Sequence, residues 1–163
     1  MRRFLSFHQP RVNAKGSAVA GLGGALAIAF LGFLTINTGH PLLMAPFGAS
    51  CVLLFSVARS PLSQPVNVVG GHFVSTLVGL LLRMYLPNEW WAVALAVGLA
   101  ISVMALLRVT HPPAGADPII VFLSNPGFEF LLIPVLVGSL GLVAIASLFH
   151  AGTSTKYPME KVP

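Results

Sequence analysis

Two short stretches of this sequence set prolines, small residues and polar groups side by side: "PFGAS" at 46–50 and "HPPAGAD" at 111–117. Proline pre-organises the first turn of a helix without wasting a donor. The turn that follows leaves free N–H groups and about half a positive charge. Gly48, Ala49, Gly115 and Ala116 are almost bare backbone, so a small ligand could approach closely. The chemistry expected is capture of a small anion. Pro46, Gly48, Ala49 and Ser50 would form one side of the pocket, and Pro113, Gly115, Ala116 and Asp117 the other.

His111 and His72 add imidazoles that could donate to an anion or titrate near neutral pH. Each equally suits a histidine that only bonds a nearby carbonyl. Asp117, if ionised, would repel an anion at the same helix start. Protonated, or paired with Arg108 or a histidine, it could serve proton coupling, since carboxylates within membranes mark relays. As a plain helix-start cap it would need no further role. Asn67 suits either a path lining or a cap. Arg59 and Arg108 suit either anion attraction or the membrane edge.

Other chemistry finds no support. The four acids are scattered, and there is no HExxH, CxxC, GxSxG or phosphate-binding loop. The histidines at 8, 40, 72, 111 and 150 lack metal-ligand spacing, so neither an enzyme nor a metal or other cofactor is expected. Cys51 is the sole cysteine, which rules out an internal disulfide and suits a small buried residue.

The elements that must hold these residues are set by composition. Of 163 residues, 56% are hydrophobic and 8% charged, and the mean hydropathy is +0.89. A soluble domain carries roughly a quarter charged residues. This chain cannot clothe a water-facing surface and reads as an all-α integral membrane protein. The net charge of +5 reads as orientation information and attraction to acidic headgroups, not as a nucleic-acid footprint.

Four long apolar spans are expected at 18–36, 66–82, 90–107 and 130–149, the third opening with the interfacial pair Trp90 and Trp91. The two proline-broken pieces, 41–57 and 111–124, lie between them. A shift of 67 residues carries Pro46, Gly48, Ala49 and Phe55 onto Pro113, Gly115, Ala116 and Phe122, and Gly71 onto Gly138. The chain therefore reads as two similar three-segment halves, about 17–86 and 90–150, each with one broken half-helix. Such interrupted pairs point to the substrate site of secondary transporters. A basic leader at 1–16 and a tail at 151–163 would be cytoplasmic.

If each broken piece crosses, there are six crossings and the second half is inverted. With the N-terminus cytoplasmic, Arg2, Arg3, Arg11, Lys15, Arg59, Arg108, Lys156 and Lys161 fall inside and Arg83 alone outside. The alternative of four full spans with two re-entrant half-helices puts Arg59 and Arg108 outside. Charge favours six.

"APFGASCVLLF", "SPLSQPVNVVGGH" and "THPPAGADP", in this order, resemble the HPP family of integral membrane proteins over roughly residues 17–150. Members of that family in cyanobacteria and plastids are associated with nitrite transport, and its members are described as having four spans. The resemblance implies a transporter of nitrite or a similar small anion. The expectation is a multi-pass carrier in the cell membrane (inner or plasma), working by alternating access and assembling as a homo-oligomer, most simply a dimer. A passive anion channel and a non-transporting membrane scaffold or subunit are the alternatives.

Overall fold

The computed structural model describes residues 5–7, 11–153 and 155–160; Arg2, Arg3, His8 and Lys161 lie outside the described residues. Among the described residues there are six α-helices and no strands. They are α1 (Ala14–Thr38), α2 (Ala45–Ser56), α3 (Pro65–Tyr85), α4 (Trp90–Leu106), α5 (Asp117–Ser124) and α6 (Val137–Ala151). Three stretches are long and apolar enough to cross a membrane: Ala14–Thr38, Pro65–Tyr85 and Phe128–Ala151. The chain is a helical membrane protein.

Local chemistry sets the ends of these helices. Asn13 caps α1 by accepting from the Gly16 N–H at 2.8 Å. Gly39 stops it in the left-handed region (φ 71°) with its N–H on the Thr35 carbonyl, a conformation that favours glycine. The 25 residues of α1 reach about 37 Å, more than a bilayer core. The chain then returns in extended form. Thr35 Oγ1 accepts from the Leu42 N–H at 3.0 Å while donating to the Leu31 carbonyl at 2.9 Å. That satisfies backbone which lipid could not. α2 then starts with Pro46 in its first turn.

The second break is built differently. After α4, residues 107–111 run non-helically, and Pro112–Ala116 form a tight 3-10 turn. Gly115 and Ala116 sit in that turn, and regular α-helix begins only at Asp117. Asn67 Nδ2 donates to the Thr110 carbonyl at 2.9 Å, and Ser75 Oγ donates to the Ala114 carbonyl at 2.6 Å. Asn67 thus braces the connector rather than capping its own helix.

The last expected span is also interrupted. Phe128–Leu131 is a 3-10 turn, and Leu132–Leu136 is a π-type turn containing an extended Ile133 (φ −132°, ψ 118°). Pro134 is the cause: it disfavours helical backbone at the residue before it. α4, with 17 residues, reaches about 26 Å. Its buried row Ala92, Ala96, Ala100 and Met104 repeats every four residues, which lets α3 and α5 approach closely.

Close approaches fix the packing. A Cβ at Gly71 would stand 2.9 Å from the Val109 carbonyl oxygen, and one at Gly138 would stand 3.1 Å from that of Leu42. Gly79 meets Pro118 at the start of α5, so α5 runs alongside α3. Phe47 packs on Gly138, and His150 Nε2 donates to the Leu54 carbonyl at 2.9 Å, so α2 runs alongside α6.

One end of the bundle gathers the start of α1, the end of α2, the start of α3 and the ends of α4 and α6. Gly23 against Phe55, Asn67 on Thr110, and Tyr157 Oη on the Ser63 carbonyl (3.1 Å) tie this end together. Arg11, Lys15, Arg59, Arg108 and Lys156 belong to that end, and Arg83 to the other.

Candidate functional site

The first turns of α2 and α5 meet at the buried face of α3. That face carries His72, Ser75, Thr76 and Gly79, which helical spacing aligns on one side. Ser50 comes from α2, His111 from the residue before the 3-10 turn, and Asp117 from the first position of α5. Ser50, His72, Ser75, Thr76, His111 and Asp117 are all 0% exposed.

All of these but Ser75, which bonds the Ala114 carbonyl, form a continuous chain of hydrogen bonds. Ser50 Oγ lies 2.9 Å from His72 Nε2 and 2.9 Å from His111 Nε2. His72 Nδ1 lies 2.8 Å from Asp117 Oδ2, to which Thr76 Oγ1 also donates at 3.2 Å. His111 Nδ1 lies 2.8 Å from the Leu62 carbonyl. A carbonyl can only accept, so His111 Nδ1 carries a hydrogen. The Ser50 hydroxyl has one proton and three acceptors within reach: His72 Nε2, His111 Nε2 and, at 3.2 Å, the Pro46 carbonyl. Asp117 Oδ1 is buried with no hydrogen-bond partner among the described residues. The Phe47 ring packs edge-on against His72 at 5.1 Å, closing the cluster with an apolar wall.

Chemically, two imidazoles point at one hydroxyl oxygen, and one of them is backed by a carboxyl. The cluster can share protons along its length. It can also direct two N–H groups at a single acceptor. The order Ser50–His72–Asp117 is that of a hydrolase triad. Here, however, the hydroxyl is shared with a second imidazole.

Residues that the sequence singled out divide into two groups. Ser50, His72, His111 and Asp117 converge, with Pro46 and Pro113 buried beside them. Gly48 and Ala49 do not join them. Both are exposed, and Gly48 lines a cleft of about 770 Å³ between α1 and α2. Gly115 and Ala116 are half-buried, and a Cβ on Gly115 would meet open space. Asp117 pairs with His72 and not with Arg108. His40 is exposed, away from the cluster. Ser75, Thr76 and the Leu62 carbonyl went unnoticed in the sequence. The spacing of Ser75 and Thr76, three and four residues after His72, was the available signal for two of them.

Interrupted helices around a buried His–Ser–His–Asp chain define the class: a helical membrane protein with a buried polar centre. The sequence matches the family described as HPP, transmembrane region, over residues 9–158, and the chain belongs to that family. Two curated relatives from Dictyostelium discoideum, both named transmembrane proteins, are 37% identical over 83% of this chain and 35% identical over 78%. The chain spans about half the length of each, 47% and 48%. No solved structure matches the chain.

Proposed function

We propose that this protein is a membrane transporter for a small inorganic anion, with nitrite the first candidate from the family resemblance. The observation that carries the reading is the convergence of His72 Nε2 and His111 Nε2 on the one oxygen of Ser50, at 2.9 Å each. An anion oxygen taking the place of that hydroxyl would accept N–H groups from both rings. Buried ionisable residues in a membrane bundle mark substrate paths. Transport is preferred to hydrolysis because Ser50 is wholly buried and already engaged by two imidazoles.

The two-halves arrangement with six crossings belongs to the same proposal. The shift of 67 residues that maps Gly71 onto Gly138 also maps Leu42 onto Val109, and the carbonyl of each is approached by the glycine of the other half. The pairing of α5 with α3 corresponds likewise to that of α2 with α6. This pseudo-symmetry supports inverted halves that rock against each other in alternating access. The gathering of Arg11, Lys15, Arg59, Arg108 and Lys156 at one end supports a cytoplasmic N-terminus in a cell membrane. The protein works as a homo-oligomer, most simply a dimer. The small-residue cleft between α1 and α2 suits a helix of a second copy.

The test is uptake by purified protein in liposomes, with nitrite, nitrate, formate and chloride in turn. Saturable uptake and counter-transport are expected for at least one anion. Non-saturable flux would make the protein a channel, and flux at the level of empty liposomes for all four would remove the reading.

A further inference from the structure

The cluster contains one group that anion binding does not explain: a carboxyl with one oxygen unpaired among the described residues. We infer that His111, Ser50, His72 and Asp117 form a single-proton relay, and that a proton is the coupling ion of the transport cycle. This rests on the transport reading above for its purpose, though not for its geometry.

The hydrogen bonds allow two states with the same heavy-atom positions. In the first, His111 is a cation. Its Nδ1–H donates to the Leu62 carbonyl and its Nε2–H to Ser50 Oγ. The Ser50 hydroxyl donates to His72 Nε2, and His72 Nδ1–H donates to an ionised Asp117. In the second, three protons have each moved one bond. His111 Nε2 gives its proton to Ser50 Oγ, Ser50 gives its own to His72 Nε2, and His72 Nδ1 gives its proton to Asp117 Oδ2. Only N–H and O–H bonds are made and broken, and the net charge of the cluster is unchanged. The three bonds between the four relay residues persist with their directions reversed, while His111 donates to the Leu62 carbonyl and Thr76 to Asp117 Oδ2 in both states.

The unpaired Asp117 Oδ1 favours the second state as the resting place of the proton. A buried carboxylate oxygen with no donor is costly, whereas a neutral acid leaves only a weak acceptor unmet. Both ends of the chain are closed: His111 Nδ1 faces a carbonyl, and Asp117 is wholly buried. The proton is therefore stored rather than conducted.

Coupling follows from charge. A cationic His111 holds an anion in place of the Ser50 hydroxyl, and the chain is then open; once the anion leaves, Ser50 bridges the two rings again, the proton passes to Asp117 and the cation is gone. The groups bonded to the relay are the Pro46 carbonyl from α2, Thr76 from α3 and the Leu62 carbonyl from the α2–α3 loop. Among the described residues, no lysine, arginine or glutamate bonds or pairs with it. The relay's charge balance is its own.

The experiment uses the full chain in liposomes holding a pH-sensitive dye, with nitrite as probe and empty liposomes subtracted. Expected are co-movement of about one proton per anion and at least tenfold acceleration by an acid-outside gradient. Asp117→Asn should lose that acceleration, measured against its own nitrite exchange rate. Ser50→Ala should lose it as well, and Ser50→Thr should restore it. Nitrite uptake indifferent to pH gradient, or gradient-driven uptake in Asp117→Asn, would overturn the relay and leave transport standing. If no anion moves at all, transport falls, and infrared difference spectra decide the relay separately. They should contain a protonated-carboxyl band at neutral pH that Asp117→Asn removes, and its absence from the wild-type protein would end the inference.

Discussion

His72 Nδ1 stands 2.8 Å from Asp117 Oδ2, both side chains wholly buried, joining the middle of α3 to the first residue of α5. The second break is held in place by this bond and by Ser75 on the Ala114 carbonyl. Deleting one partner strands the other, at about 1–3 kcal/mol for a neutral group and more for a charged one. Asp117→Ala and His72→Ala should each destabilise the protein by at least that amount in thermal unfolding in detergent. The double variant should fall short of their sum by at least ~1 kcal/mol. Additive losses would mean that the two side chains do not support each other.

Gly71 lets α3 lie against the connector that carries His111. A Cβ there would meet His111 Cβ at 2.6 Å and the Val109 carbonyl oxygen at 2.9 Å. Backbone cannot easily yield, so Gly71→Val should cost about 2 kcal/mol or more through overpacking. Gly98, on the exposed side of α4, is the contrasting case: a Cβ there would have nothing within 4 Å. Gly98→Ala should be neutral or stabilising by up to ~1 kcal/mol through helix propensity. Unfolding midpoints of the two variants, compared in one detergent, check the contrast.

Gly115 offers a different lever. Its missing side chain faces open space, so Gly115→Leu should insert and fold as the parent does, by yield and unfolding midpoint. On the transport proposal nitrite uptake should nevertheless fall at least tenfold, because that reading puts the half-buried Gly115 turn on the substrate path. Normal uptake would remove this turn from the substrate path.

The C-terminal segment reaches back to the α2–α3 loop that supplies the Leu62 carbonyl. Tyr157 Oη donates to the Ser63 carbonyl at 3.1 Å, and Gln64 Oε1 accepts from the Met159 N–H at 2.8 Å. Burial pushes the Tyr157 phenol above its ordinary range. A raised folded-state value means that its contribution is complete below the unfolded pKa, about 10, and is lost as pH rises from there through the folded value. Tyr157→Phe should therefore lose about 1 kcal/mol at neutral pH. It should also lack part of the alkaline destabilisation seen in the parent above roughly pH 10. Parallel stability profiles for the two proteins would assign the alkaline loss elsewhere.

Much of the fold was legible along the chain. Apolar runs located the helices, prolines located both breaks, and the spacing of "PFGAS" and "PAGAD" exposed the 67-residue shift. Pro134 was visible too, but not its effect. Whether a proline near the start of a span merely opens the helix or forces an extended Ile133 depends on what packs around it. The site was legible as residue types more than as a surface. Ser50, His72, His111 and Asp117 stood out as polar residues in apolar surroundings. That Gly48 and Ala49 turn outward could not be read, because α2 is apolar on nearly every side and its rotation is set by its neighbours.

The sequence by itself determined that this chain lives in a membrane, where its two proline-broken pieces between spans fall, and which few polar groups must be buried. Lipid enforces those outcomes locally, since unpaired backbone and stray charge are expensive wherever they occur. Only the tertiary structure decided that Ser50 would bridge two imidazoles and that Asp117 would choose His72 over Arg108. Those partners lie 22 to 61 residues apart, and their meeting depends on how glycines let α3 and α6 approach the broken segments.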